Sequence, residues 1–170
     1  MNSVSDATLQ AYRLVAALDP KLVEIVVLSL RVSVFAVLLG ALIGLPLGAA
    51  IAVNEFRGRH ALIVVLNALM GLPSVVVGLV VYLLLSRAGP LGSWGILFTP
   101  TAMVIAQTIL ITPTMAALSR QIVADGWEEY RDQLRSLGAS RTGTAMTLLW
   151  DLRFSLVTIL LAGYGRAASE

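Results

Sequence analysis

The sequence predicts an all-α integral membrane protein. Of its 170 residues, 58% are hydrophobic and only 13% are charged, and the mean hydropathy is +0.87. Soluble domains usually carry about a quarter of their residues as Asp, Glu, Lys and Arg. A chain with half that charge has too few polar side chains to cover a water-facing surface, so lipid is the solvent that its surface requires.

The composition also excludes several function classes. The net charge is +2, and no run of Lys or Arg is present to form a phosphate-binding stripe, so nucleic acid is not an expected partner. Cysteine is absent, which removes disulfide and thiol chemistry. The apolar segments contain no cluster of carboxylates, His or Cys. We therefore expect no catalytic, metal or cofactor site, and an enzyme is not favoured.

Apolar segments divide the chain into about four membrane spans. A helix needs about 20 apolar residues to cross the roughly 30 Å hydrocarbon core. The predicted spans are residues 32–53, 61–85, 101–118 and 154–170. The first contains no charged residue, whereas the fourth is interrupted by Arg166. Residues 32–170 are thus predicted to form one membrane domain.

The two ends of the chain raise separate questions. Residues 1–31 read as a polar and interfacial segment, whose last part, Lys21–Arg31, either extends the first helix or lies along the membrane surface. The fourth span reaches Glu170 with no polar tail. A helix that stopped inside lipid would leave its last carbonyls unpaired. We therefore expect one or more further helices beyond residue 170.

Basic residues predict the orientation. The loops after the first and third spans hold seven arginines, against four basic residues on the opposite side. Positive charge is concentrated on the cytoplasmic side of membrane proteins. Residues 54–60 and 120–151 are therefore expected in the cytoplasm.

The longest polar segment, residues 120–151, predicts two short helices around one tight turn. Apolar side chains recur at helical spacing from Trp127 to Leu137. Gly138 follows as a left-handed helix end would require, and Ser140 is suited to cap a second helix over residues 141–149. The segment would offer a compact knob to a partner's groove.

This segment resembles the EAA loop of ABC importer permeases. Residues 132–141 read Asp-Gln-Leu-Arg-Ser-Leu-Gly-Ala-Ser-Arg, and the family motif reads Glu-Ala-Ala, three residues, Gly and a later Leu-Pro. The core Leu137 to Arg141 is retained at the right offset. Residues 132–134 replace Glu-Ala-Ala, and Trp150-Asp151 stands where Leu-Pro is usual.

Other segments are similar to one branch of that family, the tungstate-type permeases. They are residues 67–78, 97–107, 148–153 and 161–167, and the likeness runs from about Leu28 to Glu170. The resemblance implies a type I ABC importer permease (MetI-like) fold in the cytoplasmic (inner) membrane of a bacterium or archaeon.

The resemblance also implies a function and partners. Two copies of the permease would form a pathway, two ABC ATP-binding subunits would grip the loops, and an extracytoplasmic binding protein would deliver the oxyanion. Tungstate is the favoured substrate, with molybdate and sulfate as alternatives. The residues expected to couple to the ATPase are Asp132, Leu137, Gly138, Ala139, Ser140 and Arg141.

Three residues are pathway candidates. Pro73 and Ser74 belong to the sequence Gly-Leu-Pro-Ser inside the second span, which either only packs and kinks the helix or lines a pathway. Arg166 costs about 2.5 to 3.5 kcal/mol at membrane depth on insertion scales. It either pairs with Glu170 one helical turn on or faces the pathway. Asn67 and Gln107 are expected to hydrogen-bond between helices.

A membrane anchor or assembly protein is the remaining alternative class. Such a protein needs only helix packing, and it does not account for the Gly138 turn between two paired helices. Coupling to an ATPase discriminates it from a permease.

Overall fold

Every regular element in the described part of the chain is a helix. The computed structural model describes residues 19–136, 138 and 140–169, without the side chains of residues 134, 135, 141 and 142. The helices are α1 (Pro20–Val53), α2 (Arg59–Met70), α3 (Ser74–Leu85), a 3₁₀ turn (Gly92–Trp94), α4 (Pro100–Ser136), α5 (Arg141–Asp151) and α6 (Arg153–Ala168). The predicted all-α class is confirmed.

Helix α1 answers the question left open at the N-terminal side of the first span. It begins at Pro20, where the missing N–H of proline costs nothing. The Asp19 side chain caps it by accepting from the backbone N–H groups of Lys21, at 2.9 Å, and Leu22, at 3.4 Å. Residues 21–31 therefore extend the first helix without a break.

The C-terminal end of α1 is closed by an arginine from the next helix. Arg59 donates from Nε to the carbonyl of Ile51 at 2.9 Å and from Nη2 to the carbonyl of Ala52 at 3.1 Å. The Asn54 side chain donates to the carbonyl of Ala50 at 2.8 Å. The last carbonyls of a helix lack partners within it, and a cation at this end also interacts favourably with the negative end of the helix dipole.

Helices α1 and α4 pack at very close range along a stripe of glycines. Gly40, Gly44 and Gly48 all face α4. A Cβ at Gly44 would lie 2.9 Å from the Thr112 carbonyl oxygen, and one at Gly48 would lie 2.7 Å from the Arg120 nitrogen. Glycines spaced four apart allow such backbone approach in membrane helices.

A buried cluster joins α6 to this pair. Its core members are Ala36, Val37, Ala41, Ile111, Met115, Ile159 and Ala167. The Ser119 hydroxyl of α4 also donates to the Leu45 carbonyl of α1 at 2.9 Å. Helices α1, α4 and α6 thus form one packed unit.

The helix predicted over residues 141–149 is α5, which meets α6 at 77°. The helices differ from the predicted spans in two places. The second predicted span contains two helices, α2 and α3, which meet at 99°. The third predicted span ends near residue 118, whereas α4 continues to Ser136. No proline follows Pro113 in α4, and Gly126 lies under the Leu152 side chain, so the helical ladder continues into the loop.

The helix lengths and surface fit a membrane. Within the described residues, α1 and α4 are each long and apolar enough to cross it, and the count rises to four if each bent pair is one span. Large apolar side chains face outward, including Leu42 and Val75, which are 72% and 79% exposed. Such a surface needs lipid or protein around it, which confirms an integral membrane protein.

The glycine stripe predicts that a methyl group added within it destabilises the protein, whereas a methyl group added at an unpacked glycine does not. Gly48→Ala should lower the stability of the purified protein by roughly 1–3 kcal/mol, because the methyl group would overlap the backbone of α4. The measurement is thermal unfolding in detergent, followed by tryptophan fluorescence.

Gly78→Ala is the matched control, since a Cβ there meets nothing within 4 Å. Its thermal unfolding midpoint should equal or exceed that of the wild type, because alanine favours a helix more than glycine does. Equal midpoints for the two variants would contradict the close packing of α1 on α4.

Candidate functional site: a helix break and the Gly138 turn

The break between α2 and α3 follows from its sequence. Helix α2 ends at Met70, and Gly71 donates its backbone N–H back to the carbonyl of Ala68 at 3.1 Å. Pro73 is extended, with φ −64° and ψ 135°, and directly precedes α3. Proline disfavours helical geometry at the residue before it, which is Leu72. Glycine and proline together therefore interrupt the second apolar segment.

Arg166 from α6 binds the backbone of this break. Its Nη1 donates to the Met70 carbonyl at 2.6 Å, and its Nη2 donates to the Leu72 carbonyl at 3.2 Å. The side chain is half-buried, and its Nε atom is buried with no hydrogen-bond partner among the described residues. Glu170, the alternative ion-pair partner, lies outside the described residues.

The residue after Arg166 ties the same turn of α6 to two more helices. The Ala167 carbonyl accepts from the Ser33 hydroxyl of α1 at 3.5 Å and from Gln107 Nε2 of α4 at 3.4 Å. The interhelical hydrogen bond expected of Gln107 is confirmed, whereas the side chain of Asn67 is exposed. Arg166 and Ala167 thus connect four helices and the break.

The two sides of the break differ in charge. The carbonyl end of α2 carries partial negative charge, and the Arg166 guanidinium lies directly on it. The amino end of α3, at Ser74, carries partial positive charge and has no side-chain cap. The negative half of the break is neutralised and the positive half is not.

A small cavity lies beside the start of α3. Its volume is about 60 Å³, and it is lined by Ser74, Val77, Gly78, Ala106, Gln107 and Leu110. The Gln107 Oε1 atom is buried and lacks a hydrogen-bond partner among the described residues. Ser74 and Gln107 give the cavity a polar lining, and its volume is enough for water.

The Gly138 turn has the predicted geometry at its two described residues. Gly138 has φ +68°, which confirms the left-handed helix end. The Ser140 side chain caps α5 by accepting from the Gly143 N–H at 3.1 Å, which confirms the cap. Among the other coupling candidates, Asp132 has a 91% exposed side chain. Leu137, Ala139 and the side chain of Arg141 lie outside the described part of the chain.

The helices on either side of the turn pack together with the C-terminal end of α1. The shared cluster consists of Ala49, Ala52, Val53, Val123 and Leu148, with Trp127 and Tyr130 packed against it. Because Leu148 is fully buried, α5 is held against the membrane helices. The turn is therefore flanked by helices that share a buried cluster with α1.

The corner between α5 and α6 is braced by Arg153. Its Nη1 donates to the Trp150 carbonyl at 3.0 Å, and its guanidinium carbon lies 5.4 Å from the Trp150 ring centre and 4.8 Å from that of Phe154. Cations over aromatic rings are attracted to them. The corner lies where the resembling family has Leu-Pro, so the arginine and its rings support a bend without proline.

Comparisons with known proteins identify the family. No family model matches the chain. A "probable anion ABC transporter permease protein" of Haloferax volcanii is 45% identical over 149 residues, which are 88% of this chain and 64% of that protein. The tungstate uptake system permease protein TupB of Peptoclostridium acidaminophilum is 34% identical over 170 residues, all of this chain and 75% of that protein.

The chain belongs to the ABC transporter permease family. The TupB protein of Campylobacter jejuni adds 31% identity over 116 residues, which are 68% of this chain and 48% of that protein. The permease described here thus spans between about half and three quarters of the length of these relatives. The resemblance found in the motifs is confirmed, and these relatives are named as transport subunits.

Sequence reasoning missed the partners of the permease's arginines. Nothing local indicates that Arg166 binds the carbonyls of Met70 and Leu72, which lie 96 and 94 residues away. A signal was available: a single arginine in an apolar helix needs acceptors, and Gly-Leu-Pro in another apolar segment frees carbonyls. The Arg59 cap on α1 follows the same logic at shorter range.

The positive φ at Gly138 predicts an order of tolerated residues. Asn should be accepted better than Ala, and Ala better than Val, because left-handed geometry costs an ordinary residue about 1–2 kcal/mol and Asn less. Hydrogen–deuterium exchange of the amides in residues 131–136 and 141–145 should rise in that order.

Gly58→Ala serves as the control, since Gly58 also has a positive φ, +91°, and lies in a different turn. It should raise exchange near residue 58 only. Unchanged exchange around residue 138 in Gly138→Val would rule out a strained turn there.

Proposed function

We propose that this permease is the membrane-spanning translocation subunit of an ATP-driven importer for an oxyanion, with tungstate as the favoured substrate. It would work in the cytoplasmic membrane as a homodimer, with a separate ABC ATP-binding subunit and an extracytoplasmic binding protein. The observation that carries the proposal is the charged helix break, in a chain 34% identical to a tungstate uptake permease over its whole length.

The depth of the break supports a role in the pathway. Helix α2 has 12 residues, and at 1.5 Å per residue it spans about 18 Å. Half of the hydrocarbon core is about 15 Å thick. If α2 enters from the cytoplasmic surface at Arg59, the break lies near the middle of the membrane. Irregular backbone at that depth is tolerated only inside protein or beside a water-filled cavity.

The charge at the break suits an anion. The uncapped start of α3 at Ser74 directs partial positive charge outward, and Arg166 cancels the opposing charge at the end of α2. Broken helices in transporters commonly present such amino ends to anionic substrates. We therefore propose that the pathway passes Pro73 and Ser74, with Arg166 behind them.

The cytoplasmic turn is the proposed contact with the ATPase. A coupling element must transmit force, so it needs rigid helices around one tight turn and a surface whose docking differs between two states. Gly138 and the Ser140 cap provide the turn, and the buried Leu148 of α5 provides the rigid mount. ATP binding would draw two such turns together and switch the pathway from inward-facing to outward-facing.

The charge at the helix break would favour tetrahedral oxyanions as a class, and the binding protein that delivers the substrate would select one of them. Tungstate, molybdate and sulfate are all tetrahedral dianions, which the field at the break would attract similarly. The extracytoplasmic binding protein would then account for most of the selectivity. Uptake of tungstate in the full-length system, with molybdate and sulfate as competitors, tests this assignment.

Site-directed crosslinking tests the coupling turn. The chain contains no cysteine, so Asp132→Cys introduces one reactive thiol in the loop. With an ATPase subunit that carries one cysteine in its groove, we expect a disulfide whose yield changes on addition of ATP.

Arg57→Cys in the loop between α1 and α2 is the matched control, because it is exposed and predicted on the same side of the membrane. It should crosslink weakly and without a response to nucleotide. A nucleotide-independent result at Asp132 and at Ser140, with both proteins in the membrane, would favour an anchor protein instead.

A charge placed at Ser74 tests the pathway. Ser74→Asp should lower oxyanion uptake by about tenfold or more, because a carboxylate at the start of α3 repels an anion in a low-dielectric site. The same carboxylate favours the helix amino end and so should not destabilise α3. Uptake is measured at equal membrane abundance.

Ser74→Asn is the control of nearly equal size without the charge. It should retain most of the uptake. If Asp and Asn gave equal rates, the anion would not pass this residue.

A further inference from the structure

The two terminal nitrogens of the Arg166 guanidinium both bind backbone carbonyls. Two of its three guanidinium nitrogens donate to the carbonyls of Met70 and Leu72, and the third is buried. An arginine binds an anion most strongly through two parallel N–H groups. Here both Nη atoms are already held by carbonyls, and each keeps one further N–H. The observed geometry therefore describes a side chain that holds two segments of the protein together.

The acceptors explain why the residue is arginine. Met70 and Leu72 lie on either side of Gly71, where no helical ladder continues to bind their carbonyls. A planar guanidinium has donors in a fixed fork that reaches two acceptors at once. Lysine has a single compact ammonium group, so it retains the charge but fixes the two carbonyls less rigidly.

Helix α6 connects this fork to the cytoplasmic turn. It starts at the braced corner at Arg153 and is continuous to Ala168. The same turn that carries Arg166 is fixed to α1 and α4 through the Ala167 carbonyl. A displacement of α5 would therefore reach the break through α6, and the Arg166 fork is the contact that passes it on.

We propose that Arg166 is a positioning residue that links the cytoplasmic turn to the helix break, and that it does not bind the transported anion. This inference rests on the proposed function for its consequence in transport. Its structural content, that the fork sets the angle between α2 and α3, is independent of the substrate.

Spin-label distances test the structural content on the purified full-length permease. Val64 in α2 and Val75 in α3 are 58% and 79% exposed, so labels at both positions report the bend without disturbing the core. We expect a narrow distance distribution with Arg166, a broader one in Arg166→Lys and the broadest in Arg166→Gln. Arg87→Gln, a change to an exposed loop arginine, should leave the distribution unchanged.

Coupled transport tests the consequence. In proteoliposomes with the ATPase and the binding protein, Arg166→Gln should lower the anion moved per ATP hydrolysed by about tenfold, within the usual range of allosteric coupling. ATP hydrolysis and the concentration of anion at half-maximal uptake should stay close to wild type. Arg166→Lys should restore part of the ratio, which a purely structural defect would not do.

The outcomes separate this inference from the proposed function. A raised half-maximal concentration with an unchanged ratio would identify Arg166 as an anion ligand and overturn the inference. Unchanged spin-label distances in both variants would overturn it as well. If Arg166→Gln does not reach the membrane, Arg166→Lys provides the test. A broader spin-label distance distribution in that variant would support the inference, and an unchanged one would overturn it. A wild-type complex that moved no oxyanion, with distances that still broaden, would refute the transport function and leave the positioning role standing.

Discussion

The structure depends on one constraint: in lipid, every backbone polar group must find a partner inside the protein. An unbroken helix meets this requirement alone, but the second apolar segment is broken by glycine and proline. The break leaves carbonyls at Met70 and Leu72 without a ladder, and Arg166 binds both. The half-buried guanidinium gains acceptors from the break, and the unpaired carbonyls of the break gain donors from the guanidinium.

Close packing makes that contact possible. The glycine stripe of α1 lets α4 approach until their backbones nearly touch, and α6 then packs on the pair through Gly163, which faces Met115. The hydrogen bonds of Ser33 and Gln107 to Ala167 fix the height of α6 along this pair. The position of Arg166 at the break is therefore determined mainly by the packing of α6 on α1 and α4.

The same architecture joins the two features of the candidate site. The turn at Gly138 and the break at Pro73 lie in different parts of the chain, and α5 and α6 form the physical connection between them. In the proposed function, this connection would carry a movement of the turn to the pathway. Continuous helices joined at a braced corner suit that task.

Much of this could be predicted from the sequence, because the signals are local. Composition determined the solvent, and apolar segments determined the approximate positions of the helices. Gly138 and Ser140 predicted a left-handed turn and a cap, since both depend on residues within one helical turn. The core of the EAA-like motif placed the chain in its family, which the relatives confirm.

Only the tertiary structure decided the angle of the break and the partner of its free carbonyls. The sequence indicated irregular backbone at Gly-Leu-Pro-Ser, but not the 99° angle or the cation that binds its carbonyls. It also did not reveal that α4 runs through to Ser136. Propensities act over a few residues, whereas the partner of Arg166 lies 96 residues away and is selected by helix packing. Local chemistry determined which groups needed partners, and long-range packing determined which partners they found.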